Sequence, residues 1–444
     1  MAPHNGPSTL SHEDIHRAED RLAVHQARLQ RRSARLLWLL IGPGILVMLG
    51  ENDSPSMLSY AATGSQFGIG FFLPFVAMTF AMAFIAQEIT VRLGAASHTG
   101  HAELIYHRFG RFWGNFAMVD LLLTNFLTLV TEFVGIVAGA GYFGVPASVA
   151  VLGGVLMVGT ASILRRYWSW ERLVLALALF NLVFIPVALL SHPHWGQIGS
   201  AFLTWGPLKG GMTAHTLVIL LADIGATITP WMLFFQQGAV SDKGLTVADI
   251  RHGRIDTALG ALLAAMAAMA CIIATAPLFI HHMQASQFGA AQFAQALTPY
   301  VGHIGGALFA LGVLEAGLVA ATTISTSSAY AFGEVTQRAH SLNLSFREAK
   351  GFYLILIGVA ALAGSLVLIP GFPLETVVIM VNVIAVLTMP PAIGFLLLLA
   401  NDGAIMGSHR STWWLNALGL FVGVFISLAG IIYAVTVIFP HLLG

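Results

Sequence analysis

Two long apolar runs of the chain are each interrupted near the middle by a proline that stands among polar residues. The first interruption covers residues 50–56 and contains Pro55, and the second covers residues 223–230 and ends at Pro230. Proline has no backbone N–H and clashes with the carbonyl four residues earlier, so neither run can form one undisturbed helix. At membrane depth the freed carbonyls need a partner, and a cation can serve as one. Paired interruptions in two halves of a chain are typical of a transporter's central binding site.

The composition places the chain in a lipid bilayer. Hydrophobic residues make up 57% of the 444 residues and charged residues only 9%, whereas about 25% of a soluble domain is charged. Apolar runs near the roughly 20 residues that cross the hydrocarbon core recur along the chain. The predicted spans are 36–62, 71–92, 112–140, 146–164, 171–190, 213–240, 256–280, 303–333, 352–369, 372–399 and 413–438.

Basic residues collect in alternate loops between these eleven spans. Of the 20 Lys and Arg residues, all except Lys209 fall on the side of the N-terminus. Because cytoplasmic loops are enriched in Lys and Arg, the N-terminus is predicted to be cytoplasmic and the C-terminus outside. The expected location is the inner or plasma membrane, with the first span as an uncleaved insertion signal.

The two broken spans, one and six, divide the chain into two units of five spans. An odd unit that is repeated once must have its second copy inverted in the membrane, as in inverted-repeat transporters. The predicted fold class is therefore an all-α integral membrane protein with about 11 transmembrane helices and a five-plus-five inverted repeat. The predicted divisions are a cytoplasmic tail at 1–35 and one transporter domain at 36–438, which contains repeat one at about 36–190, repeat two at about 213–399 and an extra helix at about 413–438.

The N-terminal tail is predicted to form a charged helix from Ser11 to Arg35. Its apolar residues Ile15, Leu22 and Leu29 recur every seven residues and form a narrow stripe. Two interpretations stay open: a surface helix without a specific task, or a helix that docks on a partner or on the membrane face.

Asp53, inside the first break, is the strongest candidate for a binding residue. A carboxylate at the centre of a membrane helix costs about 2.5–3.5 kcal/mol on insertion scales, so such a residue indicates function. The half-helix before the break ends in unpaired carbonyls and a partial negative charge, so the Gly50 carbonyl, the Asp53 carboxylate and the Ser56 hydroxyl together favour a cation. The alternative is that Asp53 only caps the second half-helix. Glu51 and Asn52 could each face the same cavity.

The second break offers the carbonyl of Ala226 and the hydroxyl of Thr229. A Thr-Pro pair alone is often a packing and kink device, but its pairing with Asp53 in the other half favours a ligand role. Every candidate ligand is an oxygen atom. Oxygen sites suit hard divalent ions such as Mg²⁺, Mn²⁺ or Ca²⁺, whereas sulfur or imidazole ligands favour softer transition metals.

Five motifs along the chain form a set. They are Gly42-Pro43-Gly44, Asp53-Ser54-Pro55-Ser56, Thr131-Glu132-Phe133-Val134-Gly135, Gly317-Leu318-Val319-Ala320-Ala321 and Met389-Pro390. Together they resemble the NRAMP family of divalent-metal transporters over spans one to ten. The resemblance implies the LeuT-like fold with helices 1 and 6 broken. It also implies that Asn382 in span ten approaches the ion and that Glu132 lies on the ion or proton route.

The chain departs from the family pattern at the expected ligands. Of the family's Asp-Pro-Gly-Asn the chain keeps Asp53 but has Ser54, Pro55 and Ser56 after it. Where the family has Ala-x-x-Met-Pro-His, the chain has Ala226, Thr229, Pro230 and Trp231, so that Thr229 and Trp231 stand for the methionine and the histidine. This pattern is similar to the NRAMP-related magnesium transporter branch. That branch carries larger, hydrated ions and is not thought to be driven by protons.

The sequence thus predicts a transporter of divalent cations, with Mg²⁺ first and Mn²⁺ second, that works by alternating access without strong proton coupling. Its partners are the transported ion and the bilayer, with no further cofactor and no nucleic acid. The alternatives are a proton-coupled manganese or iron transporter, and a transporter of an amino acid or other small organic solute. An intramembrane enzyme is disfavoured because the chain has no H-E-x-x-H motif.

Other polar residues are given simpler roles. Asp120, Asp223 and Glu315 are expected nearer the span ends, where hydration makes a structural carboxylate inexpensive. The histidines of the outer loops are interpreted either as solvated residues or as a metal-gathering mouth. They are His192, His194, His281, His282 and His303.

Overall fold

The computed structural model describes residues 12–30, 33–208, 210–281, 289–371 and 374–438. All regular elements within these residues are helices. The helices are α1 His12–Leu29, α2 Ser33–Leu40, α3 Pro43–Glu51, α4 Ser54–Phe67, α5 Phe72–Ser97, α6 His101–Phe109, α7 Arg111–Tyr142, α8 Ala147–Leu164, α9 Tyr167–Ala178, α10 Phe184–Leu190, α11 Trp195–Thr204, α12 Ala214–Gly225, α13 Pro230–Lys243, α14 Ile250–Ile280, α15 Ala290–Thr336, α16 Lys350–Val367, α17 Leu374–Ala400, α18 Gly403–Met406 and α19 Trp413–Ile438.

The helices match the predicted spans closely. Nine helical stretches among the described residues are long and apolar enough to cross a membrane, and α8 is a shorter apolar helix. The first predicted span is divided between α3 and α4. Together these elements account for the eleven predicted spans. Lys209 lies outside the described residues, and the orientation of the termini and the repeat boundaries stay predictions.

Both predicted helix breaks are confirmed. The helix of the first span is interrupted between Glu51 and Ser54, and the helix of the sixth span is interrupted between Gly225 and Pro230. Each proline stands in the first turn of the helix that follows, where its missing N–H has no intrahelical partner to lose. The chain therefore uses Pro55 and Pro230 to start the second half-helices.

The predicted start of the first span, residue 36, is wrong. Helix α2 covers that region as a separate element, and Gly42 follows it with φ 151°, a conformation that favours glycine. Helix α3 begins at Pro43. The carboxylate of Asp256 on α14 accepts hydrogen bonds from the N–H groups of Gly42, Gly44 and Ile45 at 3.0, 2.6 and 3.2 Å, which satisfies the free end of α3.

Span five, which was predicted as one span at 171–190, is interrupted in the structure. A 3₁₀ segment at Leu179–Val183 separates α9 from α10. Pro186, three residues after the segment, has no N–H to bond to the Leu182 carbonyl within it. Asn181 in this segment is fully buried and bonds to the first break, so a tertiary contact accompanies the local effect of the proline.

The tail docks on the protein itself. Its predicted single helix is two helices, α1 and α2, and Ser11 lies outside the described residues. Asp20 on α1 pairs with Arg166, just before α9, at 2.5 Å, and Arg28 pairs with Asp249, just before α14. These ion pairs connect α1 to a loop of each predicted repeat. The region 191–212 between the predicted spans five and six contains α11.

Small residues let the membrane helices approach closely, as is typical of membrane bundles. Gly64 on α4 lies against the Ile272 backbone carbonyl and the Thr275 hydroxyl of α14, and Gly139 on α7 lies against the Ala310 carbonyl of α15. No side chain fits at either point without movement of backbone. These contacts fix the distances between α4 and α14 and between α7 and α15.

Replacing Gly64 with alanine tests this packing. The added methyl group would collide with the Ile272 carbonyl, so we expect Gly64→Ala to lower the free energy of unfolding by about 1–3 kcal/mol. Tryptophan fluorescence during thermal unfolding in detergent measures the change. Gly358→Ala on α16 is the control, because its added methyl group meets open space. Equal unfolding curves for the two variants would contradict the packing described.

Candidate metal centre

Asp53 is buried in the first break and has two kinds of neighbour. Its Oδ1 accepts a hydrogen bond of 2.8 Å from the Ser56 N–H, so it caps α4. The carboxyl group also faces the side chain of Glu132 on α7. The capping interpretation therefore holds for one oxygen of Asp53, and a cap that uses one oxygen leaves lone pairs for a cation.

Ser56 presents a hydroxyl next to this carboxylate. The residue is fully buried, and its Oγ has no hydrogen-bond partner among the described residues. A buried hydroxyl without a partner costs about 1–3 kcal/mol. An ion bound at Asp53 would supply the missing partner.

A hydrogen bond between side chains joins the two breaks. The Thr229 hydroxyl donates to Glu51 Oε2 at 2.7 Å, while Glu51 Oε1 is buried without a partner among the described residues. The Trp231 indole, at the family's histidine position, faces the same carboxyl group. Glu51, predicted only as a possible pathway residue, thus stands inside the break and in contact with the second one.

The Ala226 carbonyl, predicted as a metal ligand, already has a protein partner. The Tyr60 hydroxyl on α4 donates to it at 2.9 Å and also lies 3.0 Å from the Thr227 hydroxyl. A carbonyl oxygen has two lone pairs, so this bond leaves one for an ion. Tyr60 was not predicted as a site residue. It follows Ser56 by four positions on one helix, and this spacing is the signal that could have revealed it.

Asn382 on α17 contacts both broken spans. Its side-chain amide donates to the Ser59 hydroxyl of α4 at 3.1 Å. On the other side, Gly225 lies directly against the Asn382 backbone carbonyl, and a Cβ at position 225 would collide with it. The structure therefore brings spans one, six and ten together at the breaks, as the sequence predicts.

Glu132 supports the start of α4. Its Oε2 accepts a hydrogen bond of 3.1 Å from the Ser54 N–H, and its Oε1 is buried without a partner among the described residues. No ion pair among the described residues includes Glu132, Asp53 or Glu51. Three carboxyl groups without a basic partner form an environment that favours a cation.

Two residues of the first break, Asn52 and Gly50, contact other parts of the protein than Asp53 does. Asn52 donates to the Asn181 side chain at 3.0 Å and to the Ala264 carbonyl at 2.8 Å, so it bonds away from the neighbours of Asp53. Gly50 has the Thr323 hydroxyl and the Trp231 ring as its nearest neighbours. Gly50 gives α3 a close approach to α13 and α15 at the point where α3 ends.

The histidines of the predicted outer loops that the structure describes do not form a metal cluster. Among the described residues no group of three or more His, Cys, Asp or Glu side chains is arranged to hold an ion. His192, His194 and His281 line an outer cavity of about 390 Å³, where the His281 ring stacks on Tyr300. His282 lies outside the described residues.

Asp223 and Glu315 are deeper than expected. Asp223 is fully buried, and both its oxygens accept from the Thr63 hydroxyl at 2.9–3.0 Å. Glu315 is 7% exposed. The expectation of hydrated carboxylates at span ends is wrong for both, whereas Asp120 is only partly buried.

The comparisons with known proteins agree with this geometry. The sequence profile described as Natural resistance-associated macrophage protein-like matches residues 44–436. The chain belongs to the Nramp family. Membership of the Nramp family confirms the resemblance seen in the five motifs, and it confirms the expectation of a transporter rather than an enzyme.

Individual relatives extend over nearly the whole chain. The divalent metal cation transporter MntH of Agrobacterium fabrum is 25% identical over 436 residues, which cover 94% of this chain and 90% of the relative. A manganese transporter of Eremococcus coleocola has a similar structure, with a TM-score of 0.73 and 22% identity over 90% of this chain and 86% of that one. MhsT, solved with L-phenylalanine, has a TM-score of 0.59 at 15% identity, covering 89% of this chain and 98% of that chain. These likenesses confirm the predicted LeuT-like inverted-repeat fold.

Replacing Asp53 with asparagine separates capping from ion binding. Asparagine keeps an Oδ1 that can accept the Ser56 N–H but loses the charge. We expect Asp53→Asn to unfold at nearly the wild-type temperature and to bind Mn²⁺ at least about tenfold more weakly, a loss of about 1.4 kcal/mol or more. Isothermal titration calorimetry in detergent measures the affinity. Wild-type affinity in Asp53→Asn would contradict a ligand role.

Proposed function

We propose that the protein transports hard divalent cations, Mg²⁺ first and Mn²⁺ second, by alternating access around Asp53. The observation that carries this proposal is the set of buried oxygen groups at the two breaks: the Asp53 and Glu51 carboxyl groups, the unpartnered Ser56 hydroxyl and the Ala226 carbonyl. Asn382 and Thr229 complete the proposed ligand set, and Gly50 is proposed to contribute its carbonyl.

The charge of this set matches a doubly charged ion. Asp53 and Glu51 together supply two negative charges when ionised, and the other proposed ligands are neutral. Mg²⁺ usually keeps several of its waters and binds one or two carboxylates directly. Small hydroxyl side chains such as Ser56 and Thr229 leave room for those waters.

The absence of soft ligands at the family positions favours Mg²⁺ over transition metals. Thr229 occupies the position of the family's methionine, and its hydroxyl is bound to Glu51. Oxygen ligands are those that Mg²⁺ and Mn²⁺ share, whereas a thioether selects softer ions. The relatives named for manganese support Mn²⁺ as the second substrate.

Uptake is proposed to depend mainly on the membrane potential. Moving one charge through 100 mV is worth about 2.3 kcal/mol, so a divalent ion gains about twice that on entering a negative interior. The family's histidine is replaced by Trp231, whose indole neither gains nor loses a proton near neutral pH. Net transport of the divalent ion is therefore proposed to be inward across the inner or plasma membrane.

A proton-coupled manganese or iron transporter is the second candidate. The observation that favours it is the contact of Glu132 with Asp53, because two facing carboxyl groups can share a proton. An amino acid substrate is disfavoured, since its carboxylate would meet Asp53, Glu51 and Glu132 without a basic residue. The proton-coupled candidate differs from the transporter proposed above in that protons move together with the metal ion.

Uptake into proteoliposomes with an internal pH dye tests the proposal. We expect wild-type protein to take up Mg²⁺ and Mn²⁺ without a matching fall in internal pH, and Asp53→Ala to lose uptake of both ions. Stoichiometric acidification would favour the proton-coupled candidate instead. Normal Mg²⁺ uptake by Asp53→Ala would refute the site.

A substitution at Thr229 tests the selectivity. Thr229→Met restores the family's thioether, so we expect uptake of Cd²⁺ or Fe²⁺ relative to Mg²⁺ to rise by about tenfold, the effect of roughly 1.4 kcal/mol. Thr229→Val is the matched control, because it removes the bond to Glu51 without adding sulfur. The same change in both variants would show that the hydrogen bond, rather than the missing sulfur, sets the preference.

A further inference from the structure

Glu315 is a buried carboxylate that the proposed metal centre does not use. It lies in α15, thirteen residues after a kink at Gly302, or about 20 Å along the helix at 1.5 Å per residue. The residue is 7% exposed, and neither Oε1 nor Oε2 has a hydrogen-bond partner among the described residues. This depth places the carboxylate near the middle of the span.

The side chain that faces Glu315 is Asn181, from the 3₁₀ segment of span five. Asn181 is fully buried, and its amide donates to the Asn52 backbone carbonyl at 3.1 Å. Asn52 in turn donates to the Asn181 side chain at 3.0 Å. Glu315, Asn181 and Asn52 therefore connect spans eight, five and one next to the first break. The residues that contact Asp53, which are Ser56 and Glu132, are not part of this group.

No basic residue balances this carboxylate. Glu315 takes part in no ion pair within the part of the chain that the structure describes. An ionised carboxylate at this depth without a counter-ion is strongly unfavourable. A bound cation or proton must neutralise it.

We propose that Glu315 and Asn181, with Asn52, form a second cation site that takes one monovalent metal ion, Na⁺. One carboxylate neutralises one positive charge, whereas a divalent ion would leave a net charge in the hydrocarbon core. A proton binds to only one oxygen of Glu315, whereas a metal ion can bind to both. Na⁺ can coordinate both oxygens of Glu315, and Asn181 links this carboxylate to Asn52, whose Oδ1 is also buried without a partner among the described residues.

Occupancy of this site acts on the first break through Asn52. Asn52 lies between Glu51 and Asp53 in the chain, and Asn181 holds its backbone carbonyl. An ion that orders Asn181 therefore stabilises the conformation in which α3 ends and α4 begins. If the Asp53 site binds a divalent ion, as proposed above, each ion raises the affinity for the other by the same factor. Only this coupling step rests on the proposed function.

Binding of ²²Na⁺ to the full-length protein in detergent tests the site directly. Choline chloride keeps the ionic strength constant. We expect saturable ²²Na⁺ binding to wild type, at least tenfold weaker binding to Glu315→Gln and Asn181→Ala, and unchanged binding to the control Asp120→Asn. Unfolding temperatures measured without Na⁺ show whether each variant is folded.

The outcomes separate the two sites. Asp53→Asn is expected to keep ²²Na⁺ binding and to lose Mn²⁺ binding, so failure of the metal centre does not imitate failure of the Na⁺ site. No saturable ²²Na⁺ binding to wild type, or full binding to Glu315→Gln, overturns the proposal. If Glu315 releases a proton as pH rises and added Na⁺ does not change this release, the proposal is also overturned, because the carboxyl group is then neutralised by a proton.

Discussion

The structure depends on one constraint: the backbone groups opened by the first break lie at membrane depth and must be bonded by protein. The Ser56 N–H is bonded by Asp53, the Ser54 N–H by Glu132 and the Asn52 carbonyl by Asn181. The partners of Ser54 and Asn52 come from spans three and five. Because unsatisfied groups in hydrocarbon cost several kcal/mol each, these bonds fix where α3 ends and α4 begins. The polar side chains that hold the break are thus the same ones that give it a negative potential.

The second break is tied to the first by hydrogen bonds to proposed ligand groups. Thr229 donates to Glu51, and Tyr60 donates to the Ala226 carbonyl. An ion that binds to these oxygens competes with or reinforces the bonds between the two half-helices. Ion occupancy and the relative position of spans one and six are therefore coupled, which is the requirement for alternating access.

The sequence predicts the features that depend on local chemistry and misses those that depend on tertiary contacts. Apolar runs and Pro55 and Pro230 predict the spans and both breaks. The direction of Asn52 could not be predicted, because it is set by Asn181, and Pro186 after the 3₁₀ segment indicates a local distortion but not this contact. Glu315 was placed too near a span end, although the predicted span 303–333 already encloses it well away from either end. Asn52, Asn181 and Glu315 are polar residues whose contacts form only when spans one, five and eight pack together.

Anomalous diffraction from crystals of the protein soaked in Mn²⁺ tests the central claim most directly. A peak is expected between the two breaks, with Asp53 oxygen at about 2.0–2.6 Å, the range of hard-cation bonds to oxygen. Oxygens of Glu51, Ser56 or Ala226, or waters that they hold, are expected to complete the coordination. A peak only at His192, His194 and His281 of the outer cavity, with none beside Asp53, would contradict the account.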